Sequence, residues 1–165
     1  MLSSLHTKTK LVLFLVPALA AVSFLLWWFQ PERVITRRLD ALLGIIDVSL
    51  LRTDTNARLE NSLQSLLAAE VEFAAPDPVP GGTRTPGEVA RSVQRLHQSV
   101  ASCKIQRTEP SFHFPTSREA RLETTLQADI TGGGGSKTTR RFRAEFLYIK
   151  GPDGWKIHRI ALTNL

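Results

Sequence analysis

Three side chains in this sequence are of types that can transfer protons, and their positions in the sequence pattern allow them to lie in or near a folded core. Tyr148 shares the alternation of Phe142 and Phe146, which predicts that it points into the core. His113 lies in an irregular segment and could face either side of a strand, and Asp47 stands at the edge of an apolar helix face. A phenol, an imidazole and a carboxylate can act as general acids or bases when burial or a neighbouring charge tunes their pKa. These three residues are the candidates for a pocket.

The spacing of the remaining chemical groups predicts no catalytic centre. The four histidines show no metal-ligand pattern, and no serine, histidine and aspartate follow the spacing of a nucleophilic triad. His97 falls on an apolar helix face, where a core histidine is commoner than a general base. Cys103 is the only cysteine, which excludes an internal disulfide and predicts a small buried hydrophobe. We therefore predict no catalytic residue, no metal and no cofactor, and expect that the chain is not an enzyme.

Charge is distributed unevenly along the chain. Residues 1–30 hold two lysines and no acid, and the remainder holds 19 basic and 15 acidic residues. This surplus of four is too small to require nucleic acid as a partner. Arg141 and Arg143 share the face of a strand opposite Tyr148, which predicts a basic stripe on the outer sheet. Such a stripe either binds anionic lipid or an acidic partner, or is a solvated face that discourages edge aggregation.

An apolar run, Leu11–Phe29, contains 19 residues without a charge. At about 1.5 Å per residue it nearly spans a hydrocarbon core of about 30 Å. Trp27 and Trp28 stand at its end, where indole rings favour the membrane interface. A cleaved signal peptide would need a cut near Ala18, which would leave apolar residues on the mature chain. The run therefore predicts an uncleaved transmembrane anchor that contacts membrane lipid.

The predicted organisation has three parts. A basic leader covers residues 1–10, a transmembrane signal anchor covers residues 11–30, and one domain covers residues 31–165. The short basic leader favours a cytoplasmic N-terminus and a domain outside the cytoplasm, in the periplasm.

Three amphipathic helices are predicted in the domain. The first two have apolar residues at helical spacing, over Ile35 to Ile46 and over Leu59 to Val71. The third follows a loop rich in proline and glycine, and Thr85 with Glu88 predicts a capping box at its start. The period then changes to two, which predicts antiparallel strands broken or bulged at Pro110 and ending in a hairpin.

This order of elements resembles the nuclear transport factor 2-like superfamily, including its SnoaL-like members. The similar segments are LLAAEVEFAAP at 66–76, PGEVARSVQRL at 86–96 and GPDGWKIHRIAL at 151–162. The resemblance covers residues 32–163 and implies an α+β fold. Three helices would pack on a curved antiparallel sheet to form a cone, behind the transmembrane helix. It also implies that Trp155 is buried in or beside the cone.

Three functions are consistent with this resemblance, because fold alone does not decide function. The leading hypothesis is a membrane-anchored, non-catalytic binding or assembly module. It would bind a protein or a small hydrophobic ligand, and it would form a homodimer through the sheet face. An isomerase or dehydratase-like enzyme using Tyr148, His113 or Asp47 is the first alternative. A scaffold subunit of an envelope secretion complex is the second.

Overall fold

The computed structural model describes Ser23 and residues 29–48, 56–76 and 81–165. The leader and nearly all of the predicted anchor lie outside these residues. Within them, no helix combines the length and the apolar character needed to cross a membrane. The chain divides into two compact units, Met1–Val34 and Ile35–Leu165, and the second holds nearly all of the described elements.

The first two helices bury the apolar stripes that the sequence predicts. Helix α1, Pro31–Ile46, buries Ile35, Leu39, Leu42 and Leu43. Helix α2 covers Asn56–Leu66. It buries Leu59, Leu63 and Leu66.

The second helix is shorter than predicted, because a strand begins directly after it. Strand β1, Leu67–Ala74, contains Val71, which the sequence assigned to the end of the helical spacing, although residues 71–73 also matched a very short strand. Leu67 pairs with Ile157 and Phe73 with Ile160 of a distant strand. Pairing between residues so far apart in sequence overrides the local helical spacing.

A short strand that pairs with β1, and then a helix with an N-terminal cap, follow in the sequence. Strand β2, Gly82–Arg84, pairs antiparallel with β1 inside the segment predicted to be a loop. Helix α3, Pro86–Ser99, has the predicted capping box: the side chains of Thr85 and Glu88 bond to each other's backbone N–H. These bonds satisfy donors that the first turn of a helix leaves unpaired.

Five strands complete the sheet. They are β3 (Val100–Arg107), β4 (Ser111–Thr116), β5 (Glu119–Gly132), β6 (Lys137–Gly151) and β7 (Gly154–Asn164). The order across the sheet is β2-β1-β7-β6-β5-β3, and β4 also pairs with β5. Both β3 and β4 lie against the same strand, so the prediction of one strand broken near Pro110 is confirmed.

The sheet is curved and open, and the α+β class is confirmed, but the prediction of a wholly antiparallel sheet is wrong. Strand β1 runs parallel to β7, while every other pairing is antiparallel among the described strands. The connection between β1 and β7 includes a helix and five strands, so no tight turn forces them to be antiparallel.

Alternation along the strands separates two faces of the sheet. The inner face shares the core with the helices and carries Leu122, Phe146, Tyr148 and Ile157, each at most 2% exposed. The outer face carries the intervening residues, most of them polar. Trp155 is buried as predicted, with Phe114 at the edge of its ring and Lys150 above it.

Candidate functional site

Tyr148 lies on the inner face of the sheet, near the end of β6. Its neighbours across the sheet are Ala120 on β5 and Ile157 on β7, and all three are fully buried. The phenol oxygen is also buried, and it has no hydrogen-bond partner among the described residues. Burial raises the pKa of Tyr148 far above its ordinary value, so the hydroxyl is a neutral donor at physiological pH. A buried hydroxyl without a partner is rare in folded proteins and calls for an explanation.

Three charged residues act on this hydroxyl. Arg38 and Arg107 favour the ionised phenol and Asp40 opposes it, but burial outweighs all three in setting the pKa of Tyr148. Arg107 donates to Asp40 from Nε at 2.6 Å and from Nη2 at 3.0 Å. Arg38 donates from Nη1 to the carbonyl oxygen of Ser65 at 2.7 Å, which joins α1 to the end of α2. A phenol and an ionic cluster therefore lie together at one end of the core.

Sequence reasoning found the phenol and missed the cluster. Arg107 and Asp40 are 67 residues apart, and Arg38 and Ser65 are 27 apart, so no local spacing connects them. Gly154 packs closely against Arg38, which no local spacing in the sequence indicates. Its φ of +94° suits glycine, and an added Cβ would lie 3.2 Å from Nη2 of Arg38.

His113 does not belong to the interior. Its neighbour Phe112 pairs with the buried Leu122, so His113 points the opposite way and pairs with Arg121 on the outer face. The imidazole is exposed. The prediction that His113 lines a pocket is therefore corrected, because the strand alternation places it in solvent on the side of the sheet away from Tyr148.

Asp47 lies beside Cys103 rather than beside Tyr148. It follows the last residue of α1 and is half-buried, and the next residue, Val48, bridges to Cys103. Cys103 pairs with Ile130 of β5, whereas Tyr148 pairs with Ala120, ten residues earlier on that strand. Because His113 also faces the outer side of the sheet, the three predicted pocket residues do not converge.

Cys103 is a buried thiol, as the sequence predicts. Burial raises its pKa, and the nearby carboxylate of Asp47 raises it further, so the thiol is protonated and unreactive near neutral pH. His97 is half-buried on α3, and its Nε2 has no hydrogen-bond partner among the described residues. The described residues contain no group of three or more His, Cys, Asp or Glu side chains that could hold a metal ion.

The outer face carries the predicted arginines. Arg141 donates from Nε to the side-chain oxygen of Gln127 at 3.0 Å, and Arg143 is exposed beside Thr125. One row further along the same strands, Glu145 lies directly opposite Glu123. Neither glutamate forms an ion pair within the described part of the chain. The face is thus a mixed pattern of charges rather than a purely basic stripe.

One large groove lies outside the cone interior. It has a volume of about 740 Å³ and is bounded by α2, the start of β1 and the N-terminus of α3, with Arg91 and Lys156 among its side chains. A second groove of about 660 Å³ runs along α3 and β2 and contains three arginines. Tyr148, His113 and Asp47 line neither groove.

Comparison of the fold with solved structures confirms its class. A nuclear transport factor 2-like superfamily protein from Salmonella enterica matches over 81% of this chain and 89% of its own, with 15% identity and a TM-score of 0.63. A candidate scytalone dehydratase from Novosphingobium aromaticivorans matches over 81% and 83%, with 13% identity and a TM-score of 0.61. A candidate aromatic ring hydroxylase from the same organism matches over 82% and 89%, with 12% identity and a TM-score of 0.67. No family profile and no curated protein matches the sequence.

The fold is therefore nuclear transport factor 2-like. The expectation that the chain is not an enzyme is wrong, because structures with this fold bear the names of a dehydratase and a hydroxylase. The absence of a paired catalytic motif in the sequence does not exclude catalysis, since residues distant in sequence meet in this fold, as Arg107 and Asp40 do.

Proposed function

We propose that this chain is a membrane-tethered assembly module that pairs with a second copy through the outer face of its sheet. The tether is Leu11–Phe29, and the domain lies outside the cytoplasm. The observation that carries the proposal is the arrangement of charge around Glu123 and Glu145, which face each other across β5 and β6. Like charges directly opposite each other weaken a sheet unless something else compensates them.

The arrangement has a local two-fold symmetry. Strand β5 reads Arg121-Leu122-Glu123 and strand β6 reads Arg143-Ala144-Glu145, and the two strands are antiparallel with their glutamates in register. Each glutamate therefore has an arginine two residues before it on the same face. A two-fold interface brings the same patch of both copies together, and in the proposed dimer the arginines of one copy lie against the glutamates of the other.

Apolar side chains lie beside the charges. Leu147 and Ala161 are half-buried on the outer face, and Ile149 is 37% exposed. Burying them against a second copy would add a hydrophobic contribution, while the glutamates and arginines would set the register. Arg159 and Glu72 continue the alternation of charge towards β1 and lie within 3.6 Å of each other.

A charge exchange tests this pairing. Glu145→Arg and Arg143→Glu should each weaken self-association of the full chain, because each places like charges together twice in a symmetric dimer. Co-expression of the two variants with different tags should restore pairing, since both contacts of the mixed dimer are then complementary. Arg58→Glu, on the exposed surface of α2, is the matched control. Failure of the mixed pair to co-purify above either single variant would refute the proposal.

A second candidate function is an isomerase or dehydratase-like activity on a small hydrophobic ligand. The buried hydroxyl of Tyr148 favours it, because this neutral donor has no partner among the described residues and lies near an ionic cluster. A hydroxyl in such surroundings could hold a ligand oxygen and donate a hydrogen bond to it. Tyr148→Phe should then abolish turnover of a hydrophobic hydroxy or carbonyl compound while the fold persists. Equal turnover by the variant would exclude this role.

A further inference from the structure

Three arginines line the groove along α3 and β2, and two of them donate to the same oxygen. Arg84 reaches it from β2, and Arg91 and Arg95 project from successive turns of α3. Nη1 of Arg84 and Nη2 of Arg95 both donate to the hydroxyl oxygen of Ser92, each at 3.4 Å. One neutral oxygen thus accepts from two cations. Both distances exceed the usual range of about 2.7–3.2 Å, so these bonds are weak.

The hydroxyl of Ser92 has no capacity left for a third cation. It donates to the carbonyl oxygen of Glu88 at 3.0 Å while it accepts from the two arginines. A hydroxyl has one proton to donate and two lone pairs. Arg91 donates only to a backbone carbonyl, that of Gly87, at 3.4 Å. Neither Arg91 nor Arg95 forms an ion pair within the described part of the chain.

The carboxylate of Glu88, which lines this groove, is already hydrogen-bonded to Thr85. Oε2 of Glu88 accepts from the backbone N–H of Thr85 at 2.8 Å and from its hydroxyl at 3.2 Å. The capping box therefore holds Glu88 at the first turn of α3. Among the described residues that line the groove, Glu88 is the one acid, and the exposed Arg91 and Arg95 have no ion-pair partner there, so these two arginines leave an excess of positive charge.

Arg84 is held in place by more than Ser92. Its guanidinium lies 5.8 Å from the centre of the Phe73 ring on the neighbouring strand, which is the geometry of a cation–π contact. It is also part-buried at its bond to Ser92. A positioned guanidinium loses less conformational entropy on binding an anion than a free surface arginine does.

We infer that the groove formed by Arg84, Arg91 and Arg95 around Ser92 is a binding site for a phosphoryl group. Guanidinium forks match the oxygens of phosphate, which accepts hydrogen bonds in several directions at once. A phosphoryl dianion neutralises more of the excess positive charge than a single carboxylate does. The group can belong to a free phosphate compound or to a lipid headgroup, and the chemistry of recognition is the same.

The test uses the full chain in a zwitterionic detergent, with inorganic phosphate and glycerol 3-phosphate titrated by calorimetry. Acetate and chloride at equal ionic strength serve as anion controls. Binding of the phosphoryl compounds, with acetate at least tenfold weaker, is expected. Displacement of bound glycerol 3-phosphate by micelles that contain phosphatidic acid identifies a lipid headgroup as the source, and failure of these micelles to displace it identifies a free compound. Equal responses to phosphate and acetate would overturn the inference.

Two double variants locate the site. Arg91→Gln with Arg95→Gln should weaken phosphate binding at least tenfold. Arg118→Gln with Lys137→Gln removes the same charge from exposed positions elsewhere on the sheet and should retain the binding. Thermal unfolding of both variants establishes that the fold is intact. Retention of binding by the first pair would overturn the inference, and an equal loss in both pairs would show that net charge alone attracts the anion.

Discussion

Asp40 on α1 and Arg107 at the end of β3 form a two-pronged ion pair, with N–O distances of 2.6 and 3.0 Å. The pair joins the first helix to the edge of the sheet across 67 residues of sequence. The hydrogen bond to Asp40 raises the pKa of Arg107 above its already high value, so the cation persists at any physiological pH. The same two residues act on the buried phenol of Tyr148.

Asp40→Asn should lower the free energy of unfolding by about 0.5–1 kcal/mol, because the side chain of Asp40 is 51% exposed and solvent screens the pair. Chemical denaturation of Asp40→Asn, Arg107→Gln and the double variant measures the coupling. Asp153→Asn, which removes a carboxylate that is 81% exposed and 3.8 Å from Lys156, is the control. If Asp153→Asn lowers the free energy of unfolding as much as Asp40→Asn does, the two-bond geometry of the Asp40–Arg107 pair adds nothing to stability.

Tyr148→Phe should leave the domain as stable as the native chain or stabilise it by about 1 kcal/mol, because it removes a buried hydroxyl without a partner. The substitution should change the pH dependence of the free energy of unfolding more than its value at neutral pH. Burial raises the pKa of Tyr148 in the folded state, so above a pH of about 10 the unfolded chain loses the phenol proton first. The native free energy of unfolding therefore falls as pH rises beyond that value.

Denaturation of both proteins between pH 8 and 11 measures this difference. The variant should lack part of the alkaline loss, since phenylalanine has no proton to release. Parallel curves for the two proteins would mean that Tyr148 ionises equally easily in both states. A variant destabilised by several kcal/mol would instead show that the hydroxyl has a partner that stabilises the fold.

Thr85→Ala should lower the free energy of unfolding by about 1 kcal/mol, because α3 loses its N-cap side chain. Thr85→Ser keeps the hydroxyl and should retain most of that stability. The bonds from Thr85 lower the pKa of Glu88, so this stability is present above the ordinary pKa of a glutamate and is lost as pH falls through the lower folded value. NMR titration should find a higher pKa for Glu88 in the alanine variant than in the native chain. An unchanged pKa would contradict the role of the capping box.

The chain should remain in the membrane with its N-terminal segment uncleaved. The reason is the run Leu11–Phe29, which has no usable cleavage site after it. Mass spectrometry of the protein from native membranes should find peptides from residues before Ala21. A mature N-terminus at Ala21 or later would exclude the anchor. A C-terminal reporter that is active only in the periplasm tests the orientation.

Much of the fold could be predicted because it follows local rules. The stripe of α1, the capping box of α3 and the alternation around Phe146 each depend on spacings of a few residues, which the backbone geometry of helices and strands imposes. The broken strand near Pro110 agrees with these local patterns, whereas the burial of Trp155 was implied by the resemblance to the superfamily.

The sequence by itself therefore determined the α+β class, the order of the three helices and the inward direction of Tyr148. Only the tertiary structure decided that β1 runs parallel to β7, that His113 faces solvent, and that Asp40 meets Arg107. The convergence of Arg84 and Arg95 on Ser92 also depends on how β2 lies against α3. The physical reason is the range of the interactions: periodicity reports which side of its own element a residue occupies, whereas partners across elements are set by how the whole chain packs.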